Sequence, residues 1–352
     1  MQSQQQLAEQ ASTSAMEWGG NTLRLLDQQR LPAEVRYVEC VSAADIVEAI
    51  RLQTIRGSSI GIAAAYAVVL AAREVGQTDA WDTALAADFA RLEAVMPEMM
   101  QPSWVLRMMR ERTRRLAEHG DVPGELLGAA ISIHQSEIEA NLTMARLGMQ
   151  LIRKHQKEQQ NLMTHGNAGA LSGAGFGTAL GVIRAAHEAG LVDRVYVNET
   201  RPDLEGARLT AWELAQLDIP TRLGVDLAAG HLMKVVPMTW VIVGAERIAA
   251  NGDVISDMGT YSLAILAMHH GLRFMVVAPS SAIDMELENG DEISTARMNT
   301  EVGDVAGELT LGESRFDVTP ADLVDVIVTE KGLIERPDTA RIAHLMSNQR
   351  LH

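Results

Sequence analysis

Four short apolar runs in the second half of the chain end in residues of the kinds that hold hydroxyl groups and move protons. "NLMTHGNAG" ends in His165, Gly166 and Asn167, "VYVNETRP" in Asn198, Glu199 and Arg201, "RLGVDLAA" in Asp226, and "VIVGAERIAANGD" in Glu246, Arg247, Asn251 and Asp253. Amides and carboxylates at such positions bind the polar groups of a ligand, and a carboxylate within reach of a substrate proton serves as general acid or base. The first run continues into "ALSGAGFGTALGVIRAAHEAG", a glycine-rich turn entering a helix, which reads as a phosphate cradle built from backbone N–H groups. That turn offers only small hydroxyls as nucleophiles, and the one cysteine of the chain, Cys40, lies far upstream. Taken singly, Asn198 or Asp226 also reads as a cap on the helix that follows it.

For these residues to converge, the runs that carry them must be neighbouring strands of one sheet. After residue 160, "RVYVNE", "DIPTRLGVD", "WVIVGAE" and "RFMVVAP" alternate with helical stretches such as "GARLTAWELAQ" and "TYSLAILAMHHG". Alternation of this kind implies right-handed crossovers and a parallel sheet covered on both faces, with the ligand at the carboxyl ends of the strands. Upstream, from "SAADIVEAIRLQ" to "LTMARLGMQLIRKHQ", apolar residues recur at three and four, and strong helix formers dominate. Pro123 and Gly124 punctuate two helical patterns. The chain is therefore read as α/β: a mainly helical N-terminal domain at 1–122 and a Rossmann-like, doubly wound parallel-sheet domain at 123–352, with the catalytic cleft at the domain interface. His269 and His270, in a helix of apolar spacing, read as surface or packing residues.

Composition removes several classes of function. With 352 residues and 47% hydrophobic content the chain can bury two medium cores. Thirty basic against 46 acidic side chains give a net charge of −16, so nucleic acid is not an expected partner, and the basic run "RMMRERTRRL" reads as a solvated helix face. One cysteine excludes an intramolecular disulfide framework and a cysteine-based zinc site. The start of the chain lacks the basic and apolar segments of a signal peptide. The apolar run "IGIAAAYAVVLAA" stops after 13 residues at Arg73, too short to span a membrane. A cytoplasmic protein is expected.

The motifs "IRGSSIGIAAAYAVVLAA", "GNAGALSGAGFGTALGVIRAAHEAG", "ETRPDLEGARLTAWEL", "VGAERIAANGDV", "GTYSLAILA" and "TEKGLI" resemble the 5-methylthioribose-1-phosphate isomerase family, whose fold is shared with the regulatory subunits of translation initiation factor two B. The resemblance covers nearly the whole chain. It implies interconversion of an aldose 1-phosphate and a ketose 1-phosphate in methionine salvage, by a cysteine and an aspartate, with basic and amide groups on the phosphate. This chain departs from that pattern. The family's cysteine falls on Gly166, its aspartate on Glu246, a phosphate-binding arginine on Gln101, a glutamine on Glu205, and an asparagine and lysine on Ser256 and Asp257. Arg56 and Gly57 persist, followed by Ser58 and Ser59 in place of the usual alanine and proline.

Two new carboxylates beside a phosphate dianion would repel it by about 4 kcal/mol per unit-charge pair at about 4 Å and an effective dielectric near 20. The expectation is accordingly a divergent enzyme acting on a small ribosyl or methionine-salvage-like compound that carries a positive charge, with S-adenosylmethionine a candidate. Glu246 is the expected general acid or base. Glu205 and Asp257 are expected to hold the cationic group, Arg56 and the Gly57 amide to contact oxygen atoms, and Asn167 and Asp226 to position hydroxyls, with Ser58 and His165 also in the binding set. Gln101 and Ser256 complete the binding set, and Gly166 is expected to leave space for substrate or water. No cofactor is expected; a divalent metal on Glu205, Asp226, Glu246 and Asp257 with His165 is a lesser alternative. A homodimer is implied by the resemblance. Two rival readings stand beside this one: an aldose–ketose isomerase still acting on a sugar 1-phosphate such as 5-methylthioribose 1-phosphate, and a silent ligand sensor or assembly subunit.

Overall fold

The computed structural model describes residues 14–76, 78, 80–96, 103–116, 121–173, 175–293 and 315–347. The chain divides into two units, one of residues 1–142 with 168–177, the other of residues 143–167 with 178–352. The division falls inside the helix Val122–His155. Pro123 and Gly124 sit in the first turn of that helix, where a missing N–H costs nothing, and the Asp121 carboxylate accepts the Gly124 N–H at 3.0 Å.

Unit one opens with an antiparallel sheet of β1 (Met16–Trp18), β2 (Leu23–Leu26) and β3 (Tyr37–Cys40), strands that the mainly helical reading does not include. Helices follow. Ala43–Arg51 starts with a reciprocal capping box between Ser42 and Asp45. Ser59–Val75 is buried along almost its whole length because it is apolar all round, which makes it the central helix of this core. Among the described residues no helix is long and apolar enough to cross a membrane. Cys40 is fully buried, and burial with the nearby Asp45 charge pushes its thiol up to about 12, so it supplies no thiolate at neutral pH.

Unit two is the doubly wound α/β structure that the alternation predicts. Its strands are β4 (Gln160–His165), β5 (Val192–Asn198), β6 (Thr221–Gly224), β7 (Met238–Val243), β8 (Arg247–Ala249), β9 (Val254–Asp257), β10 (Arg273–Val277), β11 (Ile283–Asp284), β12 (Phe316–Thr319), β13 (Val326–Thr329) and β14 (Gly332–Glu335). The main sheet has the order β14-β13-β10-β7-β4-β5-β6 and is parallel except for β14 at one edge. Successive connections run from β4 toward β6 on one side and from β7 toward β13 on the other, so the strand order reverses between β4 and β7. In such sheets ligands bind at the carboxyl ends of the strands where the order reverses, here those of β4 and β7. A second sheet, ordered β11-β8-β9-β12, pairs β9 with β12 antiparallel and sets Asp257 opposite Phe316 and Ser256 opposite Asp317.

Candidate active site

The polar residues at the switch point are held by a dense set of backbone contacts. His165, the last residue of β4, is buried, and its Nε2 lies 2.8 Å from the Met258 carbonyl. A carbonyl only accepts, so Nε2 carries the proton and Nδ1 receives the Asn198 amide at 3.4 Å. Burial lowers the imidazole pKa, against the opposing pull of the Met258 carbonyl and the Asp226 and Asp317 carboxylates. His165 is thus a neutral ring with its proton on Nε2, held by the Met258 carbonyl.

Gly166 follows at φ 80°, with its N–H on the Thr200 hydroxyl at 2.9 Å and its carbonyl accepting the Thr210 hydroxyl at 2.6 Å. A Cβ at this position would stand 2.3 Å from Asp257 Oδ2. The expected space for substrate or water above Gly166 is therefore filled by the chain itself: the absence of a side chain at 166 admits the carboxylate at 257.

Asp226 holds the loop that follows β5. Its two oxygens accept the backbone N–H groups of Thr200 at 2.9 Å and Arg201 at 2.8 Å. Thr200 and Leu204 are both non-glycine residues at positive φ, 59° and 55°, and a one-turn π-helix, Gly206–Thr210, follows directly. Backbone of this kind persists where the surroundings over-determine it, and it gathers at functional sites. Ser256 donates to the Gly244 carbonyl at 3.1 Å, and the Glu246 N–H donates to the Ile255 carbonyl at 2.9 Å, so β9 fixes the loop that presents Glu246 at the end of β7.

A residue that sequence reasoning missed brings a positive charge to these carboxylates. Arg315 immediately precedes β12 and accepts the Met258 N–H on its carbonyl at 2.8 Å, which places it beside the end of β9. Its guanidinium donates to Glu205 in a short charge-assisted bond and lies 3.6 Å from the Asp203 carboxylate. Burial alone would lower the pKa of this group; the charges of Glu205, Asp257, Glu246 and Asp203 outweigh it and raise the pKa instead. The neighbouring Asp317 caps the helix Thr260–His270, accepting the Gly259 N–H at 2.7 Å. Burial foremost, with the Asp257 charge, pushes its carboxyl up to about 6, against the Gly259 and Tyr261 N–H groups and His165.

Glu205, Asp257 and Glu246 therefore all lie within the field of the Arg315 guanidinium. The glycine-rich stretch is divided between the units: Asn167, buried, belongs to unit two, and residues 168–177 belong to unit one. Within unit one the turn is a packing element rather than an outward-facing phosphate cradle. Its Leu171, Ser172 and Gly173 carbonyls accept from Gln28, Ser59 and Asn141, and its Gly173 and Gly175 N–H groups donate to Gly169 and Ala170 carbonyls. The approach is close enough that a Cβ on Gly57, at φ 62°, would lie 2.6 Å from the Ser172 Cβ. In the same unit Ser58 bonds Glu137 at 2.8 Å, and buried Arg56 bonds Gln53 at 3.2 Å. Gln101 lies outside the described residues. Among the described residues no group of three or more His, Cys, Asp or Glu is arranged to hold a metal ion.

Comparison with known proteins gives this site its family. The model of the initiation factor 2 subunit family matches residues 54–336. The chain is 56% identical over 356 residues to a methylthioribose-1-phosphate isomerase of Ectopseudomonas mendocina, covering 99% of each chain. It is 56% identical to one of Pseudomonas aeruginosa, covering 96% of this chain and 97% of that one. Among solved structures, 5-methylthioribose 1-phosphate isomerase from Pyrococcus horikoshii superposes with a TM-score of 0.88 at 29% identity, covering 97% and 98% of the two chains. The delta subunit of translation initiation factor eIF-2B from A. fulgidus superposes with a TM-score of 0.82 at 29% identity, covering 95% and 99%. These relatives overturn the expectation of a divergent enzyme for a cationic substrate, S-adenosylmethionine included. The structure supplies the physical reason: the cation that Glu205 and Asp257 face is the chain's own Arg315.

Proposed function

The chain belongs to the initiation factor 2 subunit family, on its methylthioribose-1-phosphate isomerase branch, and from that premise we propose that it interconverts an aldose 1-phosphate of the methylthioribose type and the matching ketose 1-phosphate. The observation that carries this reading is 56% identity sustained over 99% of both chains with a protein of that name. The reaction moves hydrogen between the first two sugar carbons and needs no external oxidant or reductant. Such a step asks for a carboxylate that takes and returns protons beside rigid groups that orient the sugar.

Glu246, at the carboxyl end of β7 on a loop fixed by Ser256 and Ile255, is the proposed acid–base residue. Asn167 and Asp257 are proposed to contact the sugar, and His165 and Asp226 to position the loops that carry these contacts. A homodimer and a cytoplasmic location complete the proposal, the first checked by sedimentation of the purified chain and the second by fractionation of cells.

The test is incubation of the purified chain with 5-methylthioribose 1-phosphate, followed by carbon NMR for the ketone signal of the product. Turnover by the wild type with a loss of about 100-fold or more in kcat for Glu246→Gln is expected, the range typical of a general acid–base group. Binding of the sugar phosphate with no ketone formed would refute an isomerase.

A further inference from the structure

We infer that Arg315 is a specificity-determining residue of this site, the built-in counter-charge that lets an anionic, phosphate-bearing substrate approach the carboxylates Glu205, Asp257 and Glu246. The inference rests on the isomerase reading for the identity of the substrate, but its electrostatic content can be read separately. Three observations carry it. Arg315 is largely buried, with a side-chain exposure of 19%, and it bonds Glu205, whose side-chain exposure is 6%. A buried carboxylate that loses the guanidinium bonded to it repels an incoming anion more strongly, with little screening by solvent. The same guanidinium lies near Asp203 and within the field of Asp257 and Glu246, so it is the centre of the charge cluster rather than one member of a surface pair. Its place is set by the fold: the antiparallel register of β9 and β12 and the Met258 to Arg315 backbone bond bring it to the end of β9, beside Asp257.

The chain thus carries its positive charge at the start of β12, next to a β9 end that carries a carboxylate. With the Arg315 guanidinium within the field of several acids, the potential beside them depends on how much of its charge Glu205 consumes. Removing the cation should weaken phosphate binding. Removing the Glu205 charge should strengthen it, because it subtracts a negative group and leaves the guanidinium less committed. A purely structural role for the ion pair predicts no gain from the second change.

The experiment compares full-length wild type with Arg315→Met, Arg315→Lys, Glu205→Gln and the Arg315→Met/Glu205→Gln double variant. Turnover of 5-methylthioribose 1-phosphate gives KM and kcat, and thermal stabilisation by inorganic phosphate gives binding independent of turnover. Arg315→Met should raise KM and weaken phosphate binding by about tenfold, the effect of one unit charge on a dianion at about 10 Å with salt screening. The change in kcat should be much smaller. Glu205→Gln should tighten phosphate binding, the double variant should return to near wild type, and Arg315→Lys should fall between. If Arg315→Met fails to fold, the gain in Glu205→Gln and the intermediate value of Arg315→Lys decide the matter. No gain in Glu205→Gln, no rescue in the double variant, or no stabilisation of the wild type by phosphate would each overturn the inference. Phosphate binding that follows the expected order in a chain that forms no ketone would leave the inference standing and refute the isomerase reading alone.

Discussion

Replacing Gly166 by alanine tests the central geometric claim about the site. The new Cβ would stand 2.3 Å from Asp257 Oδ2, far inside van der Waals contact, on a backbone at φ 80°. Holding a residue with a side chain in the left-handed region costs about 1–2 kcal/mol. Displacing the Asp257 carboxylate adds about 1 kcal/mol, the order of an overpacked contact that a flexible side chain can relieve. The sum, about 2–3 kcal/mol, corresponds to a fall in melting temperature of about 4–12 °C for a unit of about 200 residues. Calorimetry on wild type, Gly166→Ala, Asp257→Ala and the double variant reads both parts. Truncating Asp257 removes the overlap and leaves the backbone cost, so the two changes should be non-additive by about 1 kcal/mol, with the double variant more stable than the sum predicts. A Gly166→Ala melting temperature equal to that of the wild type, or strict additivity of the two changes, would refute the claim that Asp257 fills the place of a side chain at 166.

Two further predictions concern the groups that hold the site in shape. Asp226→Ala leaves the Thr200 and Arg201 N–H groups without their acceptor and should cost about 1–3 kcal/mol, with Asp226→Asn, which keeps one oxygen, losing less. Hydrogen exchange at Thr200 and Arg201 should accelerate in the alanine variant, and unchanged protection there would contradict the assignment. Asp317 has a carboxyl raised from 3.8 to about 6, so between those values the folded state holds more protons than the unfolded chain, and stability falls as pH rises through that window. Asp317→Asn does not titrate, so its melting temperature should gain on that of the wild type as pH is raised from about 4 to about 6; a constant difference across that window would show that burial of Asp317 does not govern it.

Much of the architecture is local information and was legible along the chain. Apolar runs of strand length alternating with helical periods require parallel strands joined by crossovers, and the switch-point rule then places His165, Asn198, Asp226 and Glu246 at the carboxyl ends of β4, β5, β6 and β7. The family motifs, and the substituted positions Gly166, Glu205 and Asp257, are equally readable from order alone. The sequence also shows that the only thiol, Cys40, lies far upstream of these strand ends along the chain.

What the sequence could not decide is which charges share a space. Glu205 and Asp257 look like an uncompensated acidic pair when read against their neighbours in the chain, but the partner of Glu205 is 110 residues away, beyond the end of β11. The antiparallel pairing of β9 with β12 brings Arg315 beside Asp257, and its guanidinium reaches Glu205 from there. In the same way, nothing in the order of residues shows that the emptiness at Gly166 is occupied by Asp257, or that residues 168–177 spend their hydrogen bonds on unit one. Secondary structure follows from the periodicity of near neighbours, whereas electrostatics and packing are sums over distance in space. For that reason the sequence determined the sheet and the strand ends, and only the tertiary structure decided whether the carboxylates at those ends await a cation or already hold one.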